Sequence, residues 1–281
     1  MKQITVVGSG VMGKGIAYTS AISGYKVYLN DLNAAILAKA KQEIDDLLDT
    51  SFRGGFLKEE HYEAAKRNLL YEANLETAVR DADLVIEAVL EKMDLKIEVF
   101  QKLDHICKRE AILATNTSTM SPTEIGAQTS RPDQVVAMHF FNPVHKMKLV
   151  EVIRGLETSD ETVAFVKDIA QSMRKEAVEV KEFPGFVTSR MNCLIGNEAM
   201  NMFMEGVASA EDIDKAMKLG LNHPMGPLEL ADLVGLDTRL RNMEYLYATL
   251  GEKYRPCPIL VKYVKAGRLG KKSRKGFYDY T

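Results

Sequence analysis

Apolar positions along the first two thirds of the chain follow two alternating rhythms. Short apolar runs rich in β-branched residues, at 4–8, 26–30, 83–89, 111–115, 135–140, 149–153 and 177–180, read as strands. Stretches with helical spacing lie between most of them, at 13–23, 33–50, 94–107, 122–128 and 160–174. In the 33–50 stretch, Ala34, Leu37, Ala38, Ile44, Leu47 and Leu48 form the stripe expected to face a core. Arg53-Gly54-Gly55 breaks that helix, and a shorter one is predicted to begin near Lys58. Strands alternating with helices over short connections predict a doubly wound, mainly parallel α/β sheet covered on both faces.

The rhythm changes after Phe183-Pro184-Gly185. From there helix formers dominate, at 186–205, 210–218, 227–247 and 256–265. We place a domain boundary at 184, giving an α/β domain over 1–184 and a smaller all-helical domain over 185–281. A length of 281 residues fits two domains.

Composition narrows the function classes. Hydrophobic residues make up 46% and charged residues 27%, as in an ordinary globular protein with ample material for a core. Thirty-seven basic against 39 acidic residues leave a charge of −2, which argues against a nucleic-acid or membrane coat. No apolar run reaches the roughly 18 residues a membrane span needs. The start, MKQITVVGSG, runs straight into a strand pattern without a signal sequence, so a cytoplasmic protein is expected. The sequon Asn116-Thr117-Ser118 is then idle. Cys107, Cys193 and Cys257 are too few and too widely spaced for a disulfide framework or a CxxC site, and no histidine pair forms HExxH. No metal site is expected.

Three constellations carry candidate chemistry. Gly8-Ser9-Gly10-Val11-Met12-Gly13 is GxGxxG between a strand and a helix. Gly8 permits the tight turn, Gly10 lets a pyrophosphate approach the backbone, and Gly13 lets helix and strand pack closely. The helix N-terminus then faces the phosphates. A glycine-rich turn in any α/β protein shares the pattern, but the second strand ends in Asp31, 23 residues after Gly8. An acid there accepts bonds from a ribose and repels a 2′-phosphate, so a Rossmann-type site for NAD is predicted over NADP. The second constellation is His139 in MHFFNP with Glu151 twelve residues on. If their strands are neighbours, the carboxylate fixes one imidazole nitrogen and favours the imidazolium, as a general acid–base needs. A structural histidine at a strand end fits the spacing too. The third is Asn116-Thr117-Ser118-Thr119 at a strand's carboxyl end, where open sheets bind ligands. Asn116 and Ser118 face the ligand on this reading, while Ser121 with Glu124 forms a helix cap.

From Lys253 to Lys275 there are nine basic residues and no acid, either a solvated face or a surface for an anionic ligand. His223 and His145 have no obvious acidic partner, and the fourteen methionines fit soft packing.

Taken in order, GSGVMGKGIA, the acid at 31, NTST, HFFNPV with LVEVI, PGFV with Arg190, HPMGPLELADLVGLD and GRLGKKSRKGFYDY resemble the 3-hydroxyacyl-CoA dehydrogenase family over essentially the whole chain. The resemblance implies an NAD-dependent enzyme interconverting a short-chain (S)-3-hydroxyacyl-CoA and its 3-ketoacyl-CoA. It makes His139 the proton-transferring residue, oriented by Glu151, with Ser118 touching substrate beside the nicotinamide. It brings Glu91, Lys96, Asn142 and Lys272 toward the cofactor, and it places coenzyme A against the helical hairpin carrying Arg53 and Lys58. It also implies a homodimer formed through the helical domain. One position departs from the pattern: Ser189 stands where many members have the asparagine of PGFxxNR, and its hydroxyl is shorter with a single donor. Two other functions stay open on the residues alone. One is a dehydrogenase of a free hydroxy or sugar acid on the same scaffold; the other is a non-catalytic NAD-binding structural protein.

Overall fold

A computed structural model describes residues 1–280. It divides into two compact units, Met1–Glu182 and Phe183–Thr281. The first unit runs β1 (Gln3–Val7), α1 (Val11–Ile22), β2 (Lys26–Asn30), α2 (Ala34–Arg53), α3 (Glu59–Asn68), β3 (Leu69–Glu72), α4 (Leu75–Val79), β4 (Leu84–Glu87), α5 (Met93–Ile106), β5 (Ile112–Thr115), α6 (Pro122–Gly126), β6 (Val135–Phe140), β7 (Leu149–Arg154), α7 (Asp160–Ser172) and β8 (Glu176–Lys181). The eight strands form one sheet in the order β3-β2-β1-β4-β5-β6-β7-β8. All neighbours are parallel except β6 and β7.

This is the expected doubly wound sheet. Strands β1, β4, β5 and β6 are buried at every position, which is why they read as unbroken apolar runs and not as alternation. From β1 the chain builds outward on one side through β2 and β3, then crosses to β4 on the other. The carboxyl ends of β1 and β4 therefore flank a topological switch point, where open sheets hold ligands.

Three local expectations change. On α2 the buried stripe is Leu37, Ala40, Ile44 and Leu48, whereas Ala34 and Ala38 are exposed. Successive steps of three and four residues keep that stripe on one face, and Ala34 and Ala38 lie off it. Strand β3 and helix α4 were not expected. Strand β3 is a four-residue edge strand with only Leu69 buried, and α4 is a five-residue turn whose start is set by Asn74 accepting from the Thr77 N–H. The predicted helix over 227–247 is two helices, because Gly235 takes a left-handed conformation (φ 100°) in its middle.

The second unit is all-helical: α8 (Thr188–Met204), α9 (Ala210–Gly220), α10 (Pro227–Val234), α11 (Leu236–Leu250) and α12 (Pro258–Lys265). Its core gathers Cys193, Met200, Leu228, Leu236, Met243, Leu246 and Leu260. Two buried acids tie it together. Asp214 accepts from the Leu228 and Glu229 N–H groups at 2.8 Å, capping α10. Asp232 accepts from the N–H groups of Phe277 and Tyr278 at 3.0 Å, and burial pushes its carboxyl up against the pull of those bonds. Among the described residues no helix is long and apolar enough to cross a membrane.

The stripe on α2 is directly testable. Leu48→Ala should cost about 2–5 kcal/mol in urea unfolding, while Ala38→Ser on the exposed face should stay within about 0.5 kcal/mol of the parent.

Candidate active site

The glycine-rich turn divides its glycines between packing and access. Gly8 is left-handed (φ 102°), and its N–H donates to the Asn30 carbonyl at 2.8 Å, tying the turn to the end of β2. A Cβ on Gly8 would meet the Ala88 carbonyl oxygen at 2.6 Å, and one on Gly13 would meet the Gly8 oxygen at 1.8 Å. A Cβ on Gly10 would meet nothing within 4 Å, so the space in front of the turn is open to a phosphate. Helix α1 carries neither a side-chain cap nor a first-turn acid, which leaves its N-terminal N–H groups for an anion. Val11 is exposed at that end and Met12 packs against the core.

Asp31 closes this end of the site. Its Oδ2 accepts from the Ser9 N–H at 2.9 Å and the Ser9 hydroxyl at 2.8 Å, and its Oδ1 accepts from the Asn33 N–H at 3.0 Å. Burial works to raise the Asp31 carboxyl, but these donors outweigh it and hold the group below the usual carboxylate range. Turn and acid together fit a dinucleotide.

His139 and Glu151 face each other across the antiparallel β6–β7 pair, which sets both side chains on one face of the sheet. His139 Nδ1 and Glu151 Oε2 are 2.7 Å apart, and both residues are buried. The imidazole also packs on the Phe141 ring at 4.4 Å between centroids. Next to them the segment after β5 is pinned from two sides. Asn116 Oδ1 accepts from the Phe140 N–H at 3.1 Å, and Glu91 Oε1 accepts from the Ser118 N–H at 3.1 Å and from the Thr117 hydroxyl. Ser118 itself is half-buried. Ser121 accepts from the Glu124 N–H at 2.9 Å and starts α6, as its spacing implied.

Beneath this segment lies an ion pair centred on a residue that sequence reasoning missed. Glu87, at the end of β4, is wholly buried with Lys96 of α5, whose Nζ donates to its two oxygens at 2.9 and 3.0 Å. Lys96 Nζ is also 3.2 Å from Glu91 Oε2 and 3.4 Å from the Asn116 carbonyl. Burial pushes the Glu87 carboxyl up, while Lys96, the Thr115 hydroxyl and the Val89 N–H pull against it. The available signal was an acid closing an otherwise apolar strand, followed nine residues later by a lysine inside a helix's apolar stripe.

The structure thus gathers Asn116, Ser118, Glu91, Lys96, His139 and Glu151 near the carboxyl ends of β4, β5 and β6, the sheet edge that also holds the glycine-rich turn. Asn142 lies in the exposed loop after β6, before a cis Asn142–Pro143 peptide. Arg53 and Lys58 are exposed around Gly54-Gly55 between α2 and α3, beside Phe56, which is 89% exposed. Ser189 and Lys272 belong to the second unit. Ser189 is half-buried near the start of α8, and Lys272 Nζ pairs with Asp237 at 2.5 Å. The basic run is partly neutralised in the same way, Arg255 pairing with Glu252 and Lys275 with Asp279. His145 packs edge-on to Tyr18, and burial together with Lys146 and Lys175 pulls its pKa down. Cys107 is buried and its thiol is pushed up to about 12, so it is no nucleophile. No group of potential metal ligands occurs among the described residues.

Comparison with known proteins bears on both units. The profile described as "3-hydroxyacyl-CoA dehydrogenase, NAD binding domain" matches residues 3–183, and that described as "3-hydroxyacyl-CoA dehydrogenase, C-terminal domain" matches 185–280. The chain is 51% identical to a probable 3-hydroxybutyryl-CoA dehydrogenase of Bacillus subtilis, covering 100% of this chain and 98% of that protein. It is 46% identical to a 3-hydroxybutyryl-CoA dehydrogenase of Clostridioides difficile, with 99% of each covered. The crystal structure of an (S)-3-hydroxybutyryl-CoA dehydrogenase from Ralstonia eutropha superposes with a TM-score of 0.96 at 41% identity, covering 100% of this chain and 99% of that one.

The division of labour among the glycines predicts two distinct outcomes. Gly10→Ala should leave the melting temperature unchanged and weaken NAD binding by about tenfold or more, because the methyl fills the phosphate approach. Gly13→Ala should instead lower the melting temperature, because its methyl collides with the Gly8 carbonyl; calorimetry with and without NAD separates the two.

Proposed function

The chain belongs to the 3-hydroxyacyl-CoA dehydrogenase family, and from that premise we propose that it interconverts (S)-3-hydroxybutyryl-CoA and acetoacetyl-CoA with NAD. The observation that carries the reading is the buried His139–Glu151 pair at 2.7 Å, on the sheet edge that also presents the open glycine turn. The turn from Gly8 to Gly13, the N-terminus of α1 and Asp31 hold NAD, which when bound accepts the hydride from C3 of the acyl chain or, reduced, returns it.

His139 moves the proton. In oxidation its Nε2 takes the proton of the 3-hydroxyl while Nδ1 keeps its hydrogen bond to Glu151. The positive charge that develops on the ring then sits against the carboxylate, which stabilises the imidazolium and fixes the ring's orientation. In reduction the same nitrogen returns the proton to the oxygen on C3. Ser118 donates to that oxygen from a backbone held by Glu91. Asn116 keeps the His139 strand end in register, and Lys96, wholly buried, acts on the site through Glu91 and the Asn116 carbonyl. Asn142 and Lys272 are assigned to the cofactor, and Ser189 to the thioester side of the substrate. Arg53 and Lys58 supply positive charge for the phosphates of coenzyme A at the tip of the α2–α3 hairpin.

We assign a cytoplasmic homodimer joined through the helical unit. Supporting this, Val187, Met191, Val207, Leu219, Leu221 and Leu233 of that unit are each about half exposed or more. Association of two helical units is one way such exposed apolar side chains would be covered.

Three measurements test the reading. His139→Gln should lower kcat for acetoacetyl-CoA reduction by about 10²- to 10⁴-fold with NADH affinity retained. Oxidation of NADH with free acetoacetate but not with acetoacetyl-CoA would point instead to a free-acid dehydrogenase. Asp31→Asn should narrow the preference for NADH over NADPH by about tenfold or more, because the like-charge repulsion of a 2′-phosphate is removed; the ratio of kcat/KM for the two cofactors measures it.

A further inference from the structure

Lys175 lies between α7 and β8, only 5% exposed. Its Nζ donates to the carbonyls of Val144 at 2.6 Å and Met147 at 2.8 Å. Among the described residues no carboxylate pairs with it, and burial pulls its pKa down. A buried cation held by carbonyls alone is a costly way to stabilise a loop, and an apolar side chain would fill the space at less cost.

The backbone delivers this ammonium deliberately. After α7 the chain reverses through Arg174 in the left-handed region (φ 58°), with the Lys175 N–H donating to the Ala170 carbonyl at 3.0 Å. Strand β8 then begins with Glu176 opposite Leu149, so Lys175 falls beneath the end of the 141–148 loop. Inside that loop the Lys146 and Met147 N–H groups both donate to the Pro143 carbonyl, at 3.0 and 3.1 Å. The two carbonyls that Lys175 holds bracket this turn.

The loop joins the two halves of the chemistry. Its first residues follow His139 and Phe140 directly and include Asn142. Its Val144 side chain, 2% exposed, rests on Gly15 of α1, where a Cβ would come within 2.8 Å of Val144 Cγ2. Helix α1 is the element whose N-terminus faces the cofactor phosphates. One clamp therefore bears on both the cofactor helix and the strand of the base.

We propose that Lys175 is a positioning residue for hydride transfer: its ammonium fixes the 141–148 loop between α1 and β6 and so sets the spacing of the bound cofactor from His139. The proposal rests on the dehydrogenase reading above. Nothing in it requires Lys175 to touch substrate or cofactor.

Lys175→Met removes the charge at nearly constant length, and Val144→Ala loosens the same seal from the other side. Both variants are compared with the parent by circular dichroism, NADH affinity without substrate, steady-state kinetics, and the isotope effect with NADH deuterated at C4. Lys175→Met should fold, bind NADH at least roughly threefold more weakly and lose about tenfold in kcat with a larger isotope effect, while KM for acetoacetyl-CoA shifts by less than about twofold. Val144→Ala should move each quantity in the same direction. A folded Lys175→Met with parental NADH affinity, kcat and isotope effect overturns the proposal. If that variant does not fold, Val144→Ala decides alone, its parental values overturning the proposal and its shifted values supporting it. A parent inactive with acetoacetyl-CoA and NADH would remove the dehydrogenase reading; the clamp would then be judged on NADH affinity and on amide exchange at Lys146 and Met147.

Discussion

Strand β6 is the last of the parallel series, and β7 reverses direction to lie beside it. A parallel successor would need a crossover of about a dozen residues or more, whereas the antiparallel turn needs only the 141–148 loop. That reversal places Glu151 opposite His139 in one register. A slip of a single residue would send the carboxylate to the other face of the sheet and leave a buried imidazole without it. The loop, the lysine clamp beneath it and the seal of Val144 on α1 all exist in consequence of this one pairing. So does the choice of Asn116 as tether, since its side chain reaches the first backbone N–H beyond the histidine.

The second constraint is electrostatic. Glu87 and Lys96 are both wholly withdrawn from water. A pair of this kind adds little net stability, yet removing one partner strands a charge and typically costs about 3–5 kcal/mol. What the arrangement provides is definition: one ammonium meets two carboxylates and a carbonyl, and through Glu91 it fixes the Thr117 hydroxyl and the Ser118 backbone. The segment carrying Ser118 is thus held by charged groups lying beneath it.

Much of this was legible in the residues and some was not, for physical reasons. GxGxxG and Asp31 are readable because each answers a local demand, a tight turn or an acid at a strand end. His139 and Glu151 were readable as a pair only on the assumption that their strands are neighbours. The α2 stripe was misjudged at Ala34 and Ala38 because alanine carries little information about which face it occupies. Strand β3 escaped because an edge strand buries too little to show a pattern, and the 227–247 helix was drawn through Gly235 because a lone glycine is tolerated within helices. Glu87 and Lys175 lie deeper still: a buried charge is explained by partners brought near in space, which spacing along a chain does not display. The ion pair of Lys272, which we assign to the cofactor, with Asp237 is likewise a contact that spacing along the chain does not display.

Asp31 is held by the turn itself. Its two oxygens accept from Ser9 and Asn33, which settles its rotamer. A ribose docking there meets an acceptor with no side-chain freedom left to lose, and the entropic cost of binding at this end falls on the ligand and on displaced water. Oxidised and reduced cofactors share that ribose. They should therefore be gripped alike at the adenosine end, leaving the nicotinamide end to tell one from the other as they exchange between turnovers.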